Sequence, residues 1–75
     1  MQVSLEQLNE VYKTVFGSEI QITELTTKND IEKWDSISHL NLILELMHYF
    51  NTSFTVLEIE RIKSIKDIME ILKMK

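Results

Sequence analysis

The sequence predicts an all-α fold: a four-helix bundle of three longer helices and a short helix III, with a long loop between the first and second. Three observations carry that expectation. Proline is absent and Gly17 is the only glycine, whereas small strand-rich domains need frequent turn formers. Apolar residues recur at spacings of three and four along most of the chain. A serine, threonine or aspartate stands just before each apolar run, where a helix needs a side chain for its first free N–H groups.

The first helix opens at Ser4. "SLEQ" places Gln7 three residues after a serine, which is a capping box. Leu5, Leu8, Tyr12, Val15 and Phe16 follow at helical spacing, and Gly17 is a natural stop, so helix I is expected over residues 4–16. Residues 17–34 have no sustained period. That is a long connection for a domain of this size. Ile20, Ile22, Leu25 and Ile31 are expected to pin it across the core, with a short helical turn in its middle. "GSEIQIT" alternates briefly, but a lone strand has no partner.

Helix II is expected from Ser36 to Phe50, capped by Asp35 and broken by "NTS" at 51–53. Thr55 caps a short helix III that carries Val56, Ile59 and Ile62. Ser64, with Asp67 three residues on, opens helix IV, whose Ile65, Ile68, Met69 and Leu72 face inward. With 75 residues, 44% of them hydrophobic, residues 1–75 make one domain near the lower size limit for a self-sufficient core.

Composition excludes several classes. Without cysteine there is no disulfide frame, thiolate metal site or thiol nucleophile. "MQVSLEQ" lacks the basic and apolar regions of a signal peptide, and no run approaches the roughly 18 apolar residues of a membrane span. A cytoplasmic location is the default. The net charge of −4 is uneven. Asp35, Glu45, Glu58 and Glu60 are unopposed by any Lys or Arg between residues 34 and 60, whereas the stretch after 60 is basic. An acidic domain repels phosphate backbones, so no nucleic-acid partner is expected. The terminal cations suit the end of a helix dipole.

Helix II is unusual. At about 100° per residue, Leu42, Ile43, Leu46, Tyr49 and Phe50 form one apolar stripe. Ile37, Leu40, Leu44 and Met47 form a second. Ser38, Asn41, Glu45 and His48 make a narrow polar strip between them. A helix of a small domain normally buries one stripe. Either helix II is central and buries both, or the second stripe is exposed and meets partners. Ser36 lies beside that stripe, at the end where amides are free. Asp-Ser can be a cap and nothing more. The same free N–H groups and positive dipole end also favour a phosphate esterified to Ser36.

"DSISHLNLILELMHYF" followed by "LEIERIKSIKDIMEIL" resembles an acyl carrier protein. In that family an Asp-Ser-Leu motif opens helix II and its serine carries the 4′-phosphopantetheine arm. Asp35 and Ser36 match it, with Ile37 in place of leucine. Leu42, Leu46 and Phe50 match core positions, and "IERIKSIKDIMEIL" looks like the end of helix III and helix IV, so the resemblance spans essentially the whole chain. It implies that Ser36 is the attachment site for a covalent 4′-phosphopantetheine derived from coenzyme A, with Asp35 as motif residue and helix cap. It also implies a thioester-bound acyl or aminoacyl cargo. The partners would be a phosphopantetheinyl transferase, a loading ligase or synthase and downstream enzymes, docking on Trp34, Ile37, Leu40, Asn41, Leu44 and Met47 of a monomer.

The departures refine this. Lys33 and Trp34 stand where the family often has glycine, Ile31 lies five rather than four residues before the serine, and "TVLE" replaces a usual Pro-Asp-Glu stretch. Carriers of primary fatty acid biosynthesis have a strongly acidic helix II, yet this chain has Ser38, Asn41, Met47 and His48 at positions where acids are common. The "WDS" form looks more like stand-alone carriers of dedicated pathways, as in secondary metabolism.

Trp34 has a second reading, as a hydrophobic staple that sets the angle at which the chain enters helix II. His39 and His48 are nine residues apart, on opposite sides of the helix, which excludes a metal pair. His39 is expected to face solvent near Ser36. Met47, Met69 and Met74 also read as ordinary gap-fillers. No His and acid are placed to activate Ser36, so the chain is expected to be a non-catalytic carrier. The competing class is a small helical interaction or regulatory module with no prosthetic group.

Overall fold

The computed structural model describes residues 1–75. It is all-α: four helices, α1 (Leu5–Phe16), α2 (Ser36–Phe50), α3 (Val56–Arg61) and α4 (Ile65–Lys73), with no strand. A single 3-10 turn, Lys28–Asp30, lies between α1 and α2. The molecule measures 29 × 23 × 21 Å. No helix is long and apolar enough to cross a membrane.

Local chemistry sets each boundary. Ser4 and Gln7 form the expected reciprocal capping box at α1. Gly17 ends it at φ 117°, a conformation that side chains rarely adopt, and a Cβ there would meet the Glu19 carboxylate at 2.8 Å. Asp35 caps α2 and Asn51 ends it in the left-handed region, which asparagine tolerates well. Thr55 and Glu58 form a capping box at α3 that the sequence reading missed, and Ser64 accepts from Asp67 N–H at α4.

Fifteen apolar residues form the core. Leu8, Val11, Tyr12 and Phe16 come from α1, Leu42, Ile43 and Leu46 from α2, and Ile65, Ile68, Ile71 and Leu72 from α4. Ile22, Ile31, Trp34 and Ile62 complete it from the connecting segments. Several expectations shift by one position on the wheel. Val11 and Ile71 are buried, whereas Leu5, Val15 and Met69 are half-buried at its margin. Leu25 is exposed rather than pinned across the core, and Val56 of α3 is exposed as well. Val56 is the first residue of a helix too short to present a full stripe.

The segment between α1 and α2 is held by its backbone hydrogen bonds as well as by the buried side chains of Ile22, Ile31 and Trp34. Ile22 N–H donates to Asn9 Oδ1 of α1 at 3.0 Å. Thr26 C=O accepts from Ile65 N–H at 3.0 Å, and Lys28 N–H donates to Lys63 C=O at 2.8 Å. These two bonds flank an isolated antiparallel bridge between Thr27 and Ser64. They fix this segment against the start of α4 and leave its last residues to feed α2 from the buried side.

Candidate functional site

The candidate site is the mouth of α2. Trp34 N–H donates to Ile31 C=O at 3.1 Å and Asp35 N–H to Lys33 C=O at 2.9 Å, so the chain turns tightly into the helix. Asp35 has extended backbone angles, and its Oδ1 accepts from Ser38 N–H at 2.9 Å. That backbone bond holds the Asp35 carboxyl below the usual carboxylate range. The carboxylate therefore stays charged at the positive end of α2.

Ser36 is the first helical residue. It is exposed, and its hydroxyl makes no hydrogen bond within the chain. One turn further along the same face stands Leu40. Ile37, Leu40 and Leu44 expose 74%, 57% and 60% of their surface, whereas Leu42, Ile43 and Leu46 expose at most 1%. The first stripe is buried at Leu42, Ile43 and Leu46, half-buried at Phe50 and exposed at Tyr49, whereas the second is open at Ile37, Leu40 and Leu44. Asn41 is exposed beside the open stripe.

Two residues assigned to the partner face do not lie on it. Met47 is half-buried and packs against the core. Trp34 exposes 3% of its surface. Its ring meets Tyr12 at 5.4 Å and 77°, and Phe16 at 6.1 Å. A contact with an arm or a docking enzyme would need a surface that Trp34 does not offer. The staple reading describes it better: Trp34 immediately precedes the cap, and its partner is the fourth helical residue.

That partner is His39, which does not face solvent as expected. Trp34 Nε1–H donates to His39 Nδ1 at 2.9 Å, and His39 Nε2 lies 2.9 Å from Ile59 C=O. The indole nitrogen can only donate and the carbonyl can only accept. His39 is therefore the neutral Nε2–H tautomer, bridging the residue before α2 to α3. A buried indole N–H needs an acceptor, which explains why a polar ring folds inward. The spacing of Trp34 and His39 was the signal for this pair. Periodicity alone passed over it, because histidine reads as polar.

The bridge brings α3 beside the first turn of α2. Val56 and Leu57 of α3 are exposed at 70% and 72%. Glu58 is taken by Thr55 N–H and by Lys75, 3.0 Å away. Its carboxyl is held low first by the Thr55 backbone bond and then by Lys75. No cluster of three His, Cys, Asp or Glu side chains converges to hold a metal. The larger of two surface depressions, about 570 Å³, lies among Met1, Val3, Ser4, Gln7 and Lys73, with no residue of α2 in its lining.

An exposed, unengaged primary hydroxyl at a helix start is sterically open to a phosphodiester, and the dipole there favours its negative charge. The neighbouring Asp35 carboxylate opposes that charge, but both groups are in water, where repulsion is weak. The residues present therefore fit such a group at Ser36. No protein-family model, no curated protein and no solved structure matches the chain.

Proposed function

We propose that this protein is a stand-alone carrier of the acyl carrier protein type, dedicated to a biosynthetic pathway and working as a cytoplasmic monomer. Its four helices would form that family's bundle, with residues 17–34 as its long first loop. The observation that supports this reading best is Ser36: an exposed hydroxyl with no partner, next to a helix cap, at the head of an exposed apolar stripe.

In this reading a transferase uses coenzyme A and Mg²⁺. Ser36 Oγ loses its proton and bonds to the phosphorus attached to pantetheine. The pyrophosphate P–O bond breaks, and adenosine 3′,5′-bisphosphate leaves. The arm supplies a terminal thiol that holds the cargo as a thioester. The chain's own residues do not activate the bond. Asp35 keeps α2 intact up to the attachment point. Ile37, Leu40 and Leu44, with Asn41 beside them, give partner enzymes an apolar surface within one or two turns of it. Partner enzymes do the chemistry.

The exposed stripe also suits an interaction module with no prosthetic group. Mass spectrometry separates the two. Incubation with coenzyme A and a promiscuous phosphopantetheinyl transferase should add the mass of one phosphopantetheine to the native protein and none to Ser36→Ala. A native chain that gains no mass under conditions that load a control carrier, or a Ser36→Ala chain that gains it, would remove the carrier reading.

A further inference from the structure

His39 occupies a position where only one of its charge states fits. Its Nδ1 accepts from an indole N–H at 2.9 Å, so a proton on Nδ1 would set one N–H against another. Trp34 is 97% withdrawn from solvent (3% exposed), so water cannot readily replace the lost acceptor. On the other side, Nε2–H can keep donating to Ile59 C=O in either charge state. We propose that His39 is a pH-sensitive latch: protonation at Nδ1 releases the Trp34 indole from the first turn of α2 while the ring stays with α3.

The surroundings do not reverse this preference. A cation at His39 sits unfavourably in the first turn of α2 and favourably at the last turn of α3, so the two helix dipoles oppose each other. Charged residues on the adjoining elements are Glu32 and Lys33 before Trp34, Asp35 one turn back on α2, and Glu58, Glu60 and Arg61 on α3. Lys33 reaches Glu19 at 3.7 Å, Asp35 holds Ser38 N–H, and Glu58 holds Thr55 N–H and Lys75. Glu32, Glu60 and Arg61 are exposed. None of them forms a hydrogen bond or ion pair with the imidazole. From α1 the rings against Trp34 are those of Phe16 and of Tyr12, whose hydroxyl is kept neutral by burial. The donor–donor conflict at Trp34 is thus the one contact that changes sign on protonation.

The consequence is local. Trp34 directly precedes the Asp35 cap, so the latch sets how firmly the chain is anchored as it enters α2. This does not depend on the carrier reading. Its acid release would loosen the Asp35–Ser36 mouth whatever that mouth binds.

Trp34 is the only tryptophan, which makes the test direct. Protection of its indole N–H from exchange, relative to free tryptophan at the same pH, is followed by NMR from about pH 8 down to about pH 4. Protection should fall on the order of tenfold, the worth of one hydrogen bond, and Trp34 fluorescence should change in step. His39→Gln keeps an acceptor and a donor but cannot titrate, so its protection should stay level. His48→Gln should behave as the native chain. A level native profile, a fall that persists in His39→Gln, or a fall abolished by His48→Gln overturns the proposal. Should His39→Gln not fold, ¹⁵N signals of the native imidazole decide: Nδ1 bare at neutral pH and protonated in step with the loss of protection supports the latch. Nδ1 already protonated at neutral pH, or protonated without loss of protection, overturns it.

Discussion

Tyr12 and Trp34 meet edge to face, with ring centroids 5.4 Å apart and planes at 77°. This contact joins the middle of α1 to the residue that precedes the α2 cap. It also places the Tyr12 hydroxyl in the core, where it finds no hydrogen-bond partner. The ring therefore contributes packing, and its hydroxyl contributes a desolvation cost.

Tyr12→Phe should accordingly be neutral or stabilising by about 1 kcal/mol, because it removes a buried unsatisfied group and keeps the ring. Tyr12→Ala should cost about 3–5 kcal/mol, the range for emptying an aromatic site in a core. Urea unfolding of the two variants checks both values. A clear loss of stability in Tyr12→Phe would mean that the hydroxyl is bonded in solution.

The same burial gives a pH dependence. Burial pushes the Tyr12 hydroxyl far above the ordinary tyrosine range. The folded state therefore holds a proton that the unfolded chain releases near pH 10. Stability from this site is fully present below about pH 10 and is lost as pH rises beyond it. The native chain should lose stability above that point faster than Tyr12→Phe does. Unfolding curves at a series of alkaline pH values give the comparison, and the difference between the two proteins isolates Tyr12 from the lysines.

At the acid end, Asp35 behaves in the opposite sense. Its carboxyl is held low by Ser38 N–H, so its contribution is present above the ordinary aspartate value, about 3.9, and is lost as pH falls through the lower folded value. Asp35→Ala should melt lower than the native protein at neutral pH, with the gap closing in acid. Ser36→Ala should melt within about 0.5 kcal/mol of the native protein, since the cap remains. Thermal melts at neutral and acid pH test this; an unfolded Ser36→Ala would show that its hydroxyl has a structural role.

The Trp34–His39 bond should appear as a coupling. Trp34→Phe removes the donor, His39→Ala removes the acceptor and also strips Ile59 C=O of its donor. The double mutant should cost less than the two singles combined, by about 0.5–3 kcal/mol for residues in direct contact. Additive losses would mean that the bond contributes nothing.

How much of this was legible in the sequence depends on residue type. Ser4, Asp35, Thr55 and Ser64 announce their helices because a cap is a local event, settled within three residues. Periodicity set Leu42 and Leu46 on one apolar stripe of α2, and the resemblance to a carrier is what placed that stripe inside, where both are buried. The staple role of Trp34 was legible, but its bond to His39 was not, since a polar ring moved inward only because an indole needed an acceptor there. Periodicity alone left open which stripe of α2 was buried. Both are apolar enough, and only the position of α1 and α4 decides. Met47 lies at the edge between them, which is why it read as part of the open face.

The two stripes of α2 should respond differently to truncation. Leu46 is fully buried, and Leu46→Ala removes methyl groups from a packed core and leaves a cavity, at a cost of roughly 2–5 kcal/mol. Small domains sit toward the low end of the usual 5–15 kcal/mol, so that loss would unfold a substantial part of the population. Leu40 and Leu44 already expose 57% and 60% of their surface. Truncating them removes little buried area and should cost about 1 kcal/mol or less. Their effect should appear instead as slower loading by the transferase, because apolar anchors beside an attachment point are the residues an interface would use. Melts and a loading assay on the three variants give a direct reading. If Leu40→Ala destabilises as much as Leu46→Ala, both stripes are packed in solution and the docking face lies elsewhere. If Leu40→Ala and Leu44→Ala are stable and load at the native rate, the transferase does not use the open stripe, and its partners belong to a later step.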